Sequence, residues 1–309
     1  MDWGFENQKF YIEYTSCTRP VGTLYEEFDR RALEIAESNI DDLLVSISGG
    51  VDSQAMLNSF LKQDIPVKTV FMYLPGYNDI EYDNLKLLDM KLQIKTEIVD
   101  IDPYKYKEEL EEEAEKYDIQ TNSLLHKKFF SMLPSSANIV FMDYDPYIHV
   151  DENWDFFWYQ GFNSTEVTRD RALRLLKREG KIIWFGDTSE MRTSLLDEEM
   201  LWSILYSWKY YYGNGVTRDT GHKLRLRTDD RWDFYLKPFV YGKYWKDELI
   251  YFSKFSGFEN VPFLYQKPLY MKEHAVLVPL QEFIDFYKSC TKEKRRFYEN
   301  LHVQGGYFD

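Results

Sequence analysis

Only two cysteines, Cys17 and Cys290, occur in 309 residues. They lie far apart with no C-x-x-C spacing, which excludes the usual zinc-ribbon and thioredoxin-like motifs. Neither argues for a disulfide. No run of about 18 apolar residues is present, and Met1-Asp2-Trp3-Gly4-Phe5-Glu6 has no basic patch ahead of an apolar stretch. The expectation is therefore a soluble, cytoplasmic protein with no membrane partner. Basic residues are the scarcer sign, 38 Lys and Arg against 52 Asp and Glu, for a net charge of −14. That balance argues against a protein that coats nucleic-acid phosphates non-specifically, although a local basic patch stays open. Repeats and low-complexity tracts are missing too.

What the chain does have is apolar and aromatic surface, 44% and 18% of its residues. This suits one large core or a core with an appendage, because single cores stop growing near ~250–300 residues. In residues 23–38, Leu24, Phe28, Ala32, Ile35 and Ala36 share one helical stripe. Residues 43–47, Leu-Leu-Val-Ser-Ile, read as a strand buried on both faces and ending at Gly49-Gly50. Val51, Ala55, Met56, Phe60 and Leu61 then make a second helical stripe. The pattern continues with a strand at 67–74, a helix at 80–90, a strand at 94–98, an acidic helix at 108–117, a strand at 139–142, a basic helix at 166–178 and a strand at 181–185. Asn163 and Glu166 have capping-box spacing, and Gly180 is the expected helix stop.

Such alternation predicts an α/β fold, a parallel sheet with helices on both faces. From residue 191 it fades into aromatic helices and polar loops, notably 212–233. The chain divides softly into an α/β domain, 1–190, and a largely helical C-terminal region, 191–309, acting on substrate or as a lid, unless both make one domain.

Ser48-Gly49-Gly50-Val51-Asp52-Ser53 falls between the first apolar strand and its helix. There the glycines allow close backbone approach, the hydroxyls can donate to phosphate oxygens, and the helix dipole favours an anion. Unlike the G-x-x-x-x-G-K-[ST] loop, this turn has no lysine and carries a carboxylate, Asp52, which would repel phosphate unless a hard cation stood between them. Asp52 thus implies Mg2+.

This S-G-G-x-D-S turn after an apolar strand resembles the signature of the PP-loop ATP pyrophosphatases, relatives of which include NAD synthetases, asparagine synthetases, tRNA-thiolation enzymes and sulfonucleotide reductases. The resemblance implies a HUP-type parallel core that binds ATP and Mg2+ and cleaves ATP to AMP and pyrophosphate by adenylating an acceptor. Ser48, Gly49, Gly50, Val51, Asp52 and Ser53 would hold the nucleotide. Further along, Trp184-Phe185-Gly186-Asp187-Thr188-Ser189-Glu190 is similar to the strand-end G-x-x-S-E segment of NAD synthetases, which makes Glu190 a second metal candidate beside Asp52. Asp187 and Glu190 also suit the start of a helix. Lys237-Pro238-Phe239 followed by Lys243, Lys246 and Asn260-Val261-Pro262 looks like the C-terminal arrangement of many PP-loop enzymes, with Lys246 as a catalytic cation. Arg192 is a further phosphate candidate, although taken alone it reads first as a surface salt-bridge residue. Gly76-Tyr77-Asn78-Asp79-Ile80-Glu81 is similar to a segment of sulfonucleotide reductases, and capping by Asn78 or Asp79 accounts for it as well. Phe71-Met72-Tyr73 would line the adenine pocket in the family pattern, or serve as core.

The expected reaction is adenylation of an acceptor followed by attack of a nucleophile, nitrogen in preference to sulfur because no convincing catalytic cysteine is present. Cys290 lacks the E-C-G-[IL]-H context of the sulfonucleotide reductases, yet Lys288, Lys292 and Lys294 could lower its pKa, so a reductase-like or sulfur-transfer enzyme is the alternative. A non-catalytic nucleotide-binding module is a third. With Asp2 at position 2, the expectation is that no glutaminase is attached in the manner of glutamine-using asparagine synthetases. The segment 212–227, with Arg218, His222, Lys223, Arg225 and Arg227, is the most basic stretch and reads as a solvated loop or a lid. The acceptor is unidentified, and a tRNA acceptor or a homo-oligomer stays open.

Overall fold

The structure, a computed structural model, describes residues 2–6, 9–38, 42–142, 148–150, 155–161, 165–199, 201–203, 205–207, 237–250, 257, 260–265, 274–289, 295–299 and 301–302. In chain order the strands and helices begin with β1 (Asp2–Glu6), β2 (Lys9–Thr15), α1 (Leu24–Glu37), β3 (Leu43–Ser46), α2 (Val51–Lys62), β4 (Lys68–Tyr73) and α3 (Asp79–Leu92). They continue with β5 (Glu97–Asp100), α4 (Lys107–Tyr117), α5 (Thr121–Met132), β6 (Asn138–Phe141), β7 (Ile148–Val150) and β8 (Phe156–Gly161). Then follow α6 (Thr165–Arg174), β9 (Ile182–Trp184), α7 (Ser189–Leu196), α8 (Lys237–Trp245), β10 (His274–Pro279), α9 (Leu280–Lys288), β11 (Arg295–Glu299) and β12 (Leu301–His302). None of the helices among the described residues is long and apolar enough to cross a membrane.

The expected parallel sheet is present. Its order is β5-β4-β3-β6-β9, with every neighbouring pair parallel. Because side chains alternate along a strand, Val45, Phe71 and Val140 face a core built with α1, α2, α7, α8 and α9, whereas Leu44, Val70, Met72, Ile139 and Phe141 face one built with α4 and α5. Both faces are thus covered by helices, which is why the strands carry near-continuous apolar runs. α1 starts where the sequence supplies a cap. Thr23 Oγ1 accepts from the Glu26 amide, and Glu26 reaches back to the Thr23 amide at 2.8 Å.

Three details depart from the sequence reading. The strand expected at 94–98 pairs at 97–100, because Asp89 caps the turn before it, accepting from the Thr96 amide at 3.0 Å and the Thr96 hydroxyl at 2.6 Å. The basic helix α6 ends at Arg174 rather than 178, so Gly180 is not its stop. Gly180 instead lies against the backbone of Ser136 and Ala137, where a Cβ would collide with the Ala137 carbonyl, and its amide donates to Ser135 O at 2.8 Å. Arg178, just before it, donates to the carbonyls of Phe130, Pro134 and Ala137. Asn163, the expected cap of α6, lies outside the described residues.

Two antiparallel sheets flank the parallel one, in orders β1-β2-β11 and β12-β10-β8-β7. The C-terminal region therefore contributes strands as well as the helices α8 and α9. Aromatic rings join these parts, with Tyr14 of β2 edge-on to Trp158 of β8 at 4.9 Å and Trp158 stacked on Phe283 of α9 at 4.5 Å. Val240, Tyr241, Trp245, Phe283 and Tyr287 belong to the same buried cluster as Phe28, Phe60 and Val45. One core thus runs across residue 190.

Candidate functional site

Within the parallel sheet β3 is central. The chain leaves it toward β4 and β5 on one side and returns to β6 and β9 on the other. Ligands of open α/β sheets bind outside the carboxyl ends of the strands where the order reverses in this way. The Ser48–Ser53 turn stands at that point, directly after β3. Ile47 N still pairs with Val70 O at 2.9 Å, and then the chain turns away.

The turn is built by its own side chains. Gly49 has φ of +76°, the left-handed region, and a Cβ there would lie 3.2 Å from the Glu81 carbonyl oxygen, so glycine is the residue that fits. Ser53 Oγ accepts from the Ser48 amide at 3.1 Å and donates to Gly50 O at 2.9 Å. Gln54 Nε2 donates to Gly49 O at 2.8 Å. Gly50 is the N-cap of α2 and supplies no capping side chain, while the first amides of a helix have no intrahelical acceptor. An anion is the natural partner for such amides.

Beside the turn opens a small, open-mouthed cleft of about 60 Å³. Ser48 and Ser53 line one end of it, and the strand ends Phe71, Met72, Phe141 and Met142 supply apolar walls. Polar groups converge from three helices, namely Glu81 of α3, His126 of α5 and Arg169 of α6. Glu81 is 8% exposed. His126 Nδ1 lies 2.9 Å from the Asn122 carbonyl oxygen. Since a carbonyl can only accept, Nδ1 carries a proton and donates to it. Of these lining groups, Ser48, Ser53, Phe71, Met72 and Glu81 were legible as candidates. His126 and Arg169 were not, and the Arg169-Asp170-Arg171 run in the basic helix was the available signal.

Asp52, in the first turn of α2, accepts a hydrogen bond from Tyr241 of α8. Among the described residues no group of three or more His, Cys, Asp or Glu could hold a metal by itself. One carboxylate in the same turn as two serine hydroxyls nevertheless suits Mg2+, a hard cation that takes one or two carboxylates along with phosphate oxygens and waters instead of a protein cage.

The other predicted site residues sit differently. Glu190 starts α7 as an acidic first-turn residue, but its Oε1 receives the Thr18 amide at 2.6 Å and the Thr18 hydroxyl at 2.9 Å, fixing the segment before α1. The cap of α7 is Thr188, not Asp187. Arg192 is 9% exposed and donates to Glu166 at 2.5 Å with Asp187 at 3.6 Å. Burial opposes its charge, but the pull of Glu166 and Asp187 outweighs this and holds its pKa well above the usual value. Arg192 is a salt-bridge residue in this structure, buried instead of at the surface, and the cleft walls described above do not include it. Lys246 is exposed, in the turn after α8, and Lys243 pairs with Glu198 at 3.0 Å. Asn78 stands at the N-cap position of α3 without a side-chain cap bond, and ties the turn instead, Oδ1 accepting from Leu74 N at 2.7 Å and Nδ2 donating to Met72 O at 2.9 Å. Cys17 is buried, its Sγ 3.3 Å from Thr193 Oγ1. Cys290 and the basic segment 212–233 lie outside the described residues.

No family model matches the chain, and neither does any curated protein. Among solved structures, it is similar to NMN synthetase from Francisella tularensis, with 15% identity and a TM-score of 0.31 over 42% of this chain and 55% of that one. It is also similar to the NH3-dependent NAD synthetase from Campylobacter jejuni subsp. jejuni in complex with the nitrate ion, with 14% identity and a TM-score of 0.28 over 38% of this chain and 54% of that one. The chain thus spans about half the length of each of these structures.

Proposed function

We propose that this chain is an ATP pyrophosphatase of the PP-loop kind, which adenylates an acceptor and lets a nucleophile, nitrogen by preference, displace AMP to give an amide-type product. The observation that carries this reading is the Ser48–Ser53 turn, with its left-handed glycine and uncapped helix start, opening onto an apolar cleft at the strand-order reversal. The β- and γ-phosphates would lie on the first amides of α2 and on the Ser48 hydroxyl, where helix dipole and donors favour negative charge, and the Ser53 hydroxyl would join them by turning its hydrogen from Gly50 O to a phosphate oxygen. Phe71, Met72, Phe141 and Met142 offer apolar walls for the adenine ring. Asp52 would hold Mg2+ together with phosphate oxygens, and the ion, when bound, would neutralise phosphate charge. Glu190, already engaged by Thr18, is not needed for this.

An acceptor oxygen attacks the α-phosphorus, and the bond to the pyrophosphate oxygen breaks. Arg169, which lines the cleft, would stabilise the charge that develops on the phosphoryl oxygens. Lys246 would have to reach in from the surface to share that work, so Arg169→Ala is expected to slow pyrophosphate release more than Lys246→Ala.

The test is to incubate the protein with Mg-ATP and a panel of carboxylate, nucleotide and tRNA acceptors, and to measure AMP and pyrophosphate. Equal amounts of the two are expected with one acceptor class, with at least a hundredfold loss in Asp52→Asn. Formation of ADP, or turnover indifferent to Asp52, overturns the reading. Cys290→Ser should leave turnover intact, and its loss would favour the sulfur chemistry.

A further inference from the structure

We infer that Tyr241, on helix α8 of the C-terminal region, is a positioning residue for Asp52 and so completes the nucleotide site from 189 residues away; this rests on the function proposed above. Tyr241 is fully buried, at 0% exposed, and its ring is stacked on Trp245 at 5.1 Å and edge-on to Phe28 at 6.2 Å. The ring is thus held by packing on two sides, and its hydroxyl, which donates to Asp52 Oδ1, has little freedom to follow the carboxylate.

A carboxylate has about four lone-pair directions, so one donation selects an orientation while leaving acceptor capacity for a cation. Hydrogen bonds of this kind to a metal-binding carboxylate fix its geometry before the metal arrives. A second link from the same segment supports this: the Ile250 amide donates to Gln54 Oε1 at 2.9 Å, and Gln54 Nε2 donates to Gly49 O at 2.8 Å. The segment 241–250 therefore reaches the turn directly at its carboxylate and, through Gln54, at its glycine carbonyl. A buried tyrosine needs a partner for its hydroxyl in any case, so the question is whether the bond serves only the core or also Asp52.

Tyr241→Phe keeps the packing and deletes the donor. Tyr244→Phe is the matched control on the same helix, because the Tyr244 hydroxyl donates to Glu198 Oε1 at 2.6 Å. ATP binding is measured by calorimetry as Mg2+ is varied, with the melting temperature recorded in parallel. The half-saturating Mg2+ concentration should rise about tenfold in Tyr241→Phe and stay unchanged in Tyr244→Phe. In the Asp52→Asn background, adding Tyr241→Phe should change ATP affinity no further.

An unchanged or lower Mg2+ requirement in Tyr241→Phe, or an equal effect with Asp52 removed, overturns the inference while leaving the proposed function standing. Absence of Mg-ATP binding by the wild type overturns both. Should Tyr241→Phe not fold, ring-carbon NMR of the wild type asks the same question. There the Tyr241 signal should move when Mg2+ is added to the ATP complex, and a static signal overturns the inference.

Discussion

At the scale of single residues, the most consequential charge lies away from the cleft. Arg192 and Glu166 form an ion pair in which both side chains are nearly inaccessible, at 10% and 4%. Removing one partner of such a pair strands the other charge in a poorly solvated place, which typically costs about 3–5 kcal/mol. Glu166→Gln leaves Arg192 with Asp187 at 3.6 Å and is expected to lower unfolding stability toward the low end of that range, about 3 kcal/mol, in urea titration, whereas a loss below about 1 kcal/mol would mean that Asp187 or water takes over the charge. Tyr73 and Asp79 make the opposite case at the surface. The Tyr73 hydroxyl donates to Asp79 Oδ1 at 2.7 Å, which pushes the tyrosine up to about 12 and holds the carboxyl below its usual range, helped by the Gly76 amide.

A depressed carboxyl stabilises the fold above its unfolded pKa and loses that contribution as pH falls through the folded one. A raised tyrosine stabilises below its unfolded pKa and loses it as pH rises through the folded value. The pair thus contributes fully only between roughly pH 4 and 10. Ring-carbon NMR should show Tyr73 ionising at about 12, and Asp79→Asn should return it toward its ordinary value. No change in that variant would mean the hydrogen bond is not the cause.

At the scale of elements, the decisive unit is β3, its turn and α2. Gly49→Ala would force a side chain into the left-handed region, at a cost of about 1–2 kcal/mol, and press its Cβ toward the Glu81 carbonyl. ATP affinity should fall by more than tenfold, with only a modest loss of melting temperature. Wild-type affinity in this variant would mean that the turn does not touch the nucleotide. This unit was legible because everything that builds it is local, an apolar strand, two glycines and a helical stripe within residues 43–62.

α5 was not legible. Its apolar residues come as the adjacent pairs Leu124-Leu125 and Phe129-Phe130, buried between α4, α6 and the sheet, and Gln120 at its N-cap makes no side-chain cap bond. His126 went unrecognised with it. Asp187 and Glu190 divide differently, since the sequence allowed both to start a helix, whereas Thr188 takes the cap and only the fold brings Thr18 onto the Glu190 carboxylate.

At the scale of the whole molecule, the core does not stop at residue 190. Trp245 lies 5.0 Å from Phe28 of α1, and Phe283 and Tyr287 pack with Tyr14 of β2. A chain ending at residue 190 would leave that surface uncovered, so it should melt well below the full chain, bind a hydrophobic dye and lose Mg-ATP binding. Cooperative unfolding of 1–190 at the full-chain temperature would show that the two regions are separate domains. The α/β class, the position of the Ser48–Ser53 turn and the carboxylate within it follow from the sequence by itself, since each depends on periodicity and on residues a few positions apart. Tertiary structure alone decided that β2 pairs with β11, that Arg169 and His126 reach the cleft, that Arg192 is occupied by Glu166, and that Tyr241 holds Asp52. These contacts join segments that no local period relates, and they are selected by which buried surfaces and polar groups can satisfy one another once the chain has closed on itself.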